Sequence, residues 1–222
     1  MICIPITAKN TEVALEKIAM ANALADMIEI RLDMMESFDL HEMIHAASKP
    51  VLVTYRSIRE GGEGTVDDKT HASYLLAALE EGAELVDVEG RLPEKWREKV
   101  FRARRKSSIV VSTHVPDSTP PKEKLERIFE ELAGTGADII KIVTQANSMI
   151  DNLRVLDLIP KARERGIKII AFCMGRFGKI SRIFSHLMGG YLTFASLEGG
   201  EESAAGQIPV EEMKRIMKVL SP

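Results

Sequence analysis

Short apolar runs alternate with amphipathic helical segments along the whole chain. Eight of the apolar runs are short, rich in β-branched residues and bounded by turn residues, which is typical of buried parallel strands. The predicted strands are Ile2–Ile6, Asp26–Leu32, Pro50–Tyr55, Glu84–Glu89, Ser108–Thr113, Asp138–Val143, Ile167–Phe172 and Tyr191–Ala195.

The segments between these runs repeat their apolar positions with the period of an α-helix. The predicted helices are Thr11–Leu24, Asp39–Ala47, Asp67–Glu81, Pro93–Lys106, Pro121–Ala133, Ser148–Arg165, Lys179–Met188 and Pro209–Leu220. Proline at a first-turn position and glycine just after a helix end support several of these boundaries.

Strict β/α alternation over this length predicts a single (β/α)8 (TIM) barrel that takes in residues 1–222 as one catalytic domain. No linker, low-complexity tract or change of composition divides the chain. A doubly wound sheet is the alternative, because alternation alone does not show that the sheet closes.

The bulk composition narrows the class of protein. A hydrophobic fraction of 45% and a net charge of −3 give no reason to expect a nucleic-acid or membrane partner. The residues after Met1 lack the features of a signal peptide, and the distant Cys3 and Cys173 form no metal or disulfide motif. We expect a cytoplasmic protein that forms a homodimer.

Lys141 is the most informative residue, because it lies inside a strand that should be buried. Alternation places Ile139, Lys141 and Val143 on one face and Ile140 and Ile142 on the other. Burial and cationic neighbours favour a neutral amine, which is a nucleophile toward carbonyl groups. A lysine with a packed stem and a solvated head is the alternative interpretation.

Polar residues collect at the carboxyl ends of the strands, where barrels of this type build their active sites. Glu29, Arg31 and Asp33 share one face of the second strand, and His114 ends the fifth. Four other histidines fall in helical segments. His41 and His45 are four residues apart, but no third metal ligand is evident, and we interpret them as a solvated helix face.

His114 belongs to the strand before that of Lys141, so both side chains can converge on one substrate. A lysine and a histidine rimmed by arginines and carboxylates suit carbonyl chemistry through an imine, with the histidine moving protons. No short segment of the sequence contains a metal-binding motif or the pattern of a Ser-His-Asp triad.

An ordered set of segments is similar to type I 3-dehydroquinase, a Schiff-base enzyme of the shikimate pathway. The segments are Glu29–Asp33, Arg56–Ser57 with Glu60–Gly62, Ser112–His114, Asp138–Ile142, Met174–Gly175, Gly178–Arg182 and Ser203–Ile208. The resemblance implies a (β/α)8 barrel that dehydrates 3-dehydroquinate to 3-dehydroshikimate without a metal or an organic cofactor.

The resemblance also implies roles for individual residues. Lys141 would form the imine, and His114 would transfer protons, with Glu60 orienting it and raising its pKa. Arg182 would bind the substrate carboxylate. Glu29, Arg31 and Arg56 would bind the ring hydroxyls and keep one another charged. Ser203 and Gln207 would close over the substrate, and Met174 and Phe194 would form apolar walls of the site.

The segment Leu197–Ile208 has three glycines, three acids and no large apolar residue between its ends. We therefore expect a lid that orders only over substrate. Two alternatives stay open at this point: a class I aldolase, which would also form an imine, and a catalytically inactive barrel that serves as a binding module.

Overall fold

The computed structural model describes residues 1–198 and 202–220, and within these ranges eight parallel strands form a nearly closed barrel. The strands are β1 (Ile2–Ile6), β2 (Met27–Arg31), β3 (Val51–Thr54), β4 (Leu85–Glu89), β5 (Ser108–Val115), β6 (Ile139–Gln145), β7 (Lys168–Met174) and β8 (Thr193–Phe194). β1 pairs with both β2 and β8. The Tyr191 amide donates to the Ile169 carbonyl at 2.7 Å, joining β7 to the residues before β8. This confirms the predicted barrel.

Helices cover the outside of the barrel. They are α1 (Thr11–Leu24), α2 (Leu40–Ala46), α3 (Asp68–Glu80), α4 (Glu94–Ala103), α5 (Lys122–Ala133), α6 (Asp151–Leu156), α7 (Leu158–Glu164), α8 (Lys179–Leu187) and α9 (Val210–Leu220). In the described part of the chain, no helix combines the length and the apolar character that crossing a membrane requires.

The prediction of one helix over Ser148–Arg165 is wrong, because α6 and α7 are separated at Asp157. Pro160 explains the break. It has no N–H to donate to the carbonyl of Leu156, and its ring crowds that carbonyl. The eighth strand is also shorter than the predicted Tyr191–Ala195.

Strand alternation divides the buried apolar residues into two sets. Ile140 and Ile142 point outward and join the core between the barrel and the helices. Ile139 and Val143 point inward and belong to a second core inside the barrel. The predicted assignment of these residues to opposite faces is confirmed, and Lys141 therefore points into the barrel.

Candidate active site

The barrel interior changes from apolar to charged in steps of two residues along each strand. The apolar floor consists of Met27, Leu52, Leu85, Val110 and Ile139. Two residues further along are Glu29, Thr54, Asp87, Ser112 and Lys141, all buried. Two residues beyond these are Arg31, Arg56, Glu89, His114 and Val143. Because side chains alternate with a period of two in every strand, the barrel interior has an apolar layer at the bottom and two polar layers above it.

A single cavity brings together every site residue that the sequence predicts. Its lining includes the three proposed catalytic residues Lys141, His114 and Glu60. It also includes the predicted binding residues Glu29, Arg31, Arg56, Met174, Arg182, Phe194, Ser203 and Gln207.

Lys141 lies at the bottom of this cavity and is 4% exposed. Its Nζ donates to Asp87 Oδ2 at 2.9 Å and lies 3.8 Å from Glu29 Oε1. The ammonium group also lies 4.8 Å from the centre of the Phe194 ring. Its direct contacts are therefore two carboxylates and an aromatic face, and the nearby Arg56 guanidinium shares the Asp87 carboxylate with it.

Asp87 links Lys141 to the rest of the charge network. Its other oxygen accepts from Ser112 Oγ at 2.5 Å and forms a salt bridge to Arg56 Nη2 at 2.8 Å. Burial opposes its charge, but the nearby Arg56 and Lys141 cations outweigh burial and hold the pKa of Asp87 well below its ordinary value. Asp87 is thus a fixed anion under the cavity.

His114 contacts Glu60, the residue that is predicted to orient it. Its Nδ1 lies 3.0 Å from Glu60 Oε2, and its backbone N–H donates to the same oxygen at 3.1 Å. Because a carboxylate accepts, the ring carries its proton on Nδ1 and leaves Nε2 as the basic atom.

The predicted direction of the His114 pKa is wrong. Burial lowers the pKa of His114 well below its ordinary value, and the Arg56 and Lys141 cations lower it further. Burial also raises the pKa of Glu60 to about 7, despite the opposing charge of Arg56. Glu60 therefore cannot supply the full negative charge that the expectation assumed, and His114 is held as a neutral base.

The position of His114 relative to Lys141 follows from the register of β5 and β6. Ser112 is opposite Lys141, and His114 is opposite Val143. His114 therefore lies two residues nearer the barrel mouth, about 7 Å along the strand direction. A six-membered ring bound to Lys141 can span that separation.

Glu29, Arg31 and Arg56 form no direct ion pair with one another, and each contacts a different neighbour. Glu29 accepts from Thr54 Oγ1 at 2.8 Å. Arg31 forms a two-bonded pair with Asp33, at 2.9 and 2.8 Å. Each charge is thus held by a different neighbour.

Arg56 is surrounded by carboxylates. Its Nη1 lies 3.1 Å from Glu60 and 3.1 Å from Glu89, and these contacts add to its salt bridge with Asp87. Glu89 in turn accepts from the Ser57 backbone N–H and hydroxyl, both at 2.7 Å. The positive charge of Arg56 therefore offsets part of the negative charge of these carboxylates beside His114.

Arg182 is the buried cation without a carboxylate partner in residues 1–198 and 202–220. Its Nη2 donates to the Ala205 carbonyl at 3.3 Å, its guanidinium carbon lies 4.6 Å from the Phe172 ring centre, and its Nε has no hydrogen-bond partner. Burial lowers the pKa of Arg182 to about 10. Such a group is costly to bury unless an anion pairs with it.

Part of the predicted lid lies against the end of β7. The Gly175 amide donates to the Ala205 carbonyl at 2.8 Å, which holds the loop to the end of β7. Gln207 is buried, and its amide exchanges hydrogen bonds with Ser203, at 3.0 Å each. That this part orders only over substrate stays a prediction. Gly199 and Gly200, also in the predicted lid, lie outside the described residues.

The sequence-based set of site residues left out three groups that contact the key side chains. Asp87 holds Lys141, Glu89 holds Arg56, and Phe172 lies against Arg182. Position could have revealed all three, because Asp87 and Glu89 lie two and four residues beyond the inward-facing Leu85, and Phe172 lies two residues beyond the inward-facing Ile170.

Comparison with known proteins agrees with this geometry. Residues 2–222 match the family model described as Type I 3-dehydroquinase. The 3-dehydroquinate dehydratase of Thermococcus gammatolerans is 37% identical over 221 residues, covering 99% of each chain. That of Methanocaldococcus jannaschii is 35% identical over 223 residues, again covering 99% of each.

A solved structure shows the same likeness in three dimensions. The 3-dehydroquinate dehydratase of Geobacillus kaustophilus superposes with a TM-score of 0.89 at 30% identity, over 99% of this chain and 90% of the other. Family model, sequence relatives and fold therefore lead to one assignment. The chain belongs to the type I 3-dehydroquinase family.

Proposed function

We propose that this type I 3-dehydroquinase performs its reaction through a Schiff base on Lys141, with His114 as the proton-transfer residue. The reaction is the dehydration of 3-dehydroquinate to 3-dehydroshikimate, a hydro-lyase step of the shikimate pathway. The observation that carries the residue assignment is the buried Lys141 ammonium at the floor of a cavity that also holds His114 and Arg182.

The first step is imine formation. The Lys141 ammonium gives up a proton, and Nζ attacks the C3 ketone of the substrate. The ketone oxygen takes up that proton and a second one from Nζ and leaves as water, and the product is a positively charged iminium. Asp87, 2.9 Å from Nζ, faces the position of this charge and stabilises it.

The second step is elimination. The iminium withdraws electrons from C2, and Nε2 of neutral His114 takes the C2 proton. The imidazolium then protonates the C1 hydroxyl, which leaves as water when the C1–C2 double bond forms. Glu60 supports this cycle because it fixes the ring tautomer and accepts from Nδ1–H in both states. Hydrolysis of the imine by water returns the free lysine and the product ketone.

Arg182 binds the substrate carboxylate in this proposal. It is buried and lacks a carboxylate partner in the described part of the chain, and a carboxylate would supply the missing charge. A guanidinium can hold both carboxylate oxygens, which fixes the ring so that C2 faces His114.

The remaining cavity residues define the shape of the substrate. Glu29 and Arg31 present hydrogen-bonding groups to the ring hydroxyls, and Arg56 keeps Asp87 charged. Met174 and Phe194 form apolar walls. Ser203 and Gln207, which already bond to each other, cover the substrate side that faces the solvent.

A class I aldolase would share the imine but not this substrate. The buried Arg182 favours a carboxylate-bearing substrate, and the family match favours dehydration. An inactive binding barrel would not need both a buried lysine and a neutral histidine in one cavity.

We also propose a cytoplasmic homodimer. The buried Cys3 and Cys173 are free thiols, which suits a reducing compartment. Met149, Ile150 and Leu153 are 51%, 66% and 62% exposed at the start of α6, a concentration of apolar surface suited to a second copy. Light scattering on Leu153→Asp tests the dimer, which this charge should dissociate; an unchanged dimer would exclude this surface.

Borohydride trapping tests the imine. Sodium borohydride with 3-dehydroquinate should inactivate the protein and add a stable mass to the peptide that contains Lys141. Lys141→Ala should show neither labelling nor turnover, whereas Lys168→Ala, at the opposite end of the barrel, should retain both. Labelling of Lys141→Ala, or normal turnover by it, would refute the assignment.

A further inference from the structure

A second group of potential ligands lies on the outer surface, away from the cavity residues. It consists of His41 and His45 on α2 and Glu81, the residue that caps the carboxyl end of α3. One nitrogen or oxygen from each residue lies within 4.8 Å of the others. The missing third partner of the histidine pair is thus supplied from a distant part of the sequence.

The hydrogen bonds around this cluster orient the ligand atoms. His45 Nδ1 lies 2.8 Å from the carbonyl oxygen of His41. A carbonyl only accepts, so Nδ1 carries the proton and Nε2 is left with a free electron pair. A backbone carbonyl that fixes the tautomer of a histidine in this way is characteristic of metal-binding imidazoles.

His41 and Glu81 are already in direct contact. His41 Nδ1 lies 2.7 Å from Glu81 Oε2. A tetrahedral zinc ion with ligand bonds of about 2.0–2.1 Å would hold such a pair at about 3.3 Å, so the two atoms must separate by roughly 0.6 Å. Their side chains are 68% and 35% exposed, which leaves room for that small movement.

The geometry points to a surface site for a divalent transition-metal ion, bound by His41, His45 and Glu81. Two imidazoles and one carboxylate match the preferences of Zn²⁺ and its neighbours, whereas Mg²⁺ and Ca²⁺ prefer oxygen ligands only. None of the three residues lines the catalytic cavity. The ion would therefore act on structure rather than on the dehydration.

The structural effect follows from where the ligands lie. The helices α2 and α3 cover neighbouring strands of the barrel, yet α2 packs mainly on α1 and α3 mainly on α4. An ion held by both would join two parts of the helical layer that otherwise touch little. Because it binds only the folded chain, it should raise the unfolding temperature, and the rise should grow with the logarithm of the ion concentration divided by its dissociation constant.

Calorimetric titration of the full chain with Zn²⁺, after treatment with a chelator, tests the site. We expect one ion per chain and a higher unfolding temperature with Zn²⁺ than without it. His45→Gln and Glu81→Gln should each weaken binding at least about tenfold, or about 1.4 kcal/mol. His186→Gln is the matched control, since that half-buried histidine contacts the amino terminus instead, and it should bind as the parent does.

Cobalt substitution gives an independent measurement. Co²⁺ should produce visible absorption bands in the parent protein that are lost in His41→Asn, while dehydratase activity stays unchanged in His45→Gln. Absence of saturable Zn²⁺ binding would overturn the proposal. Equal binding by the parent, His45→Gln and Glu81→Gln would also overturn it, because the ion would then be held elsewhere.

Discussion

Glu60→Gln should stabilise the folded protein at alkaline pH while impairing catalysis. The Glu60 side chain is fully buried, and one of its carboxylate oxygens has no hydrogen-bond partner. Burial raises its pKa from an ordinary 4.5 to about 7, so folding disfavours its charged form. Glutamine resembles the neutral form and should avoid that penalty.

The size of the expected gain in unfolding free energy follows from the pKa of Glu60. Each tenfold change in proton affinity corresponds to about 1.4 kcal/mol, so the difference between 4.5 and about 7 is worth about 3 kcal/mol above pH 7. Between pH 4.5 and about pH 7, Glu60 binds a proton more fully in the folded protein than in the unfolded chain. The stability of the parent therefore falls as pH rises through this window, and the advantage of Glu60→Gln grows with it.

Denaturant unfolding at several pH values from 5 to 9 provides the assay. At pH 8 we expect the unfolding free energy of Glu60→Gln to exceed that of the parent by about 3 kcal/mol, a rise in Tm of roughly 6–12 °C. The difference should shrink toward pH 5. The kcat should fall, because glutamine cannot stabilise the imidazolium form of His114 as a carboxylate does.

Two further variants control for this result. Asp87→Asn should have the opposite effect on stability, because folding favours the charged form of Asp87. It should lose about 3–5 kcal/mol at pH 8, since Lys141 and Arg56 lose their shared anion. Glu98→Gln on the surface should change stability by less than about 0.5 kcal/mol. A Glu60→Gln protein that is less stable than the parent at pH 8, or a difference that does not vary with pH, would refute the reasoning.

Three other changes test the site. His114→Ala should lose about 10²–10⁴-fold in kcat yet still be trapped by borohydride, and near-normal turnover would remove His114 from the mechanism. Arg182→Lys should raise KM and lower kcat because a point charge cannot hold both carboxylate oxygens, and unchanged kinetics would place the carboxylate elsewhere. Gly206→Ala should undock the loop, since Gly206 has φ +83° and an added Cβ would lie 2.3 Å from the Gly175 carbonyl oxygen. Hydrogen exchange across residues 202–208 should rise, and unchanged protection would contradict that account.

The sequence by itself determined the architecture and the inward direction of the main site residues. Both follow from local periodicity, because a period of two fixes which face of a strand each side chain occupies. Lys141 comes two residues after the inward-facing Ile139, and His114 comes four residues after the inward-facing Val110. Both side chains therefore point into the barrel. The same periodicity says nothing about where a helix breaks, which is why Pro160 divided a segment that looked continuous.

Tertiary structure alone decided the electrostatics, because charges act across the fold between residues distant in sequence. Asp87, 54 residues from Lys141, is its ion-pair partner. The pKa of His114 falls rather than rises because burial and the cations Arg56 and Lys141 outweigh the negative charge of Asp87. The surface cluster follows the same principle. The spacing of His41 and His45 already predicts that they lie on one face of a helix. Glu81 joins them only because the fold brings the end of α3 beside α2.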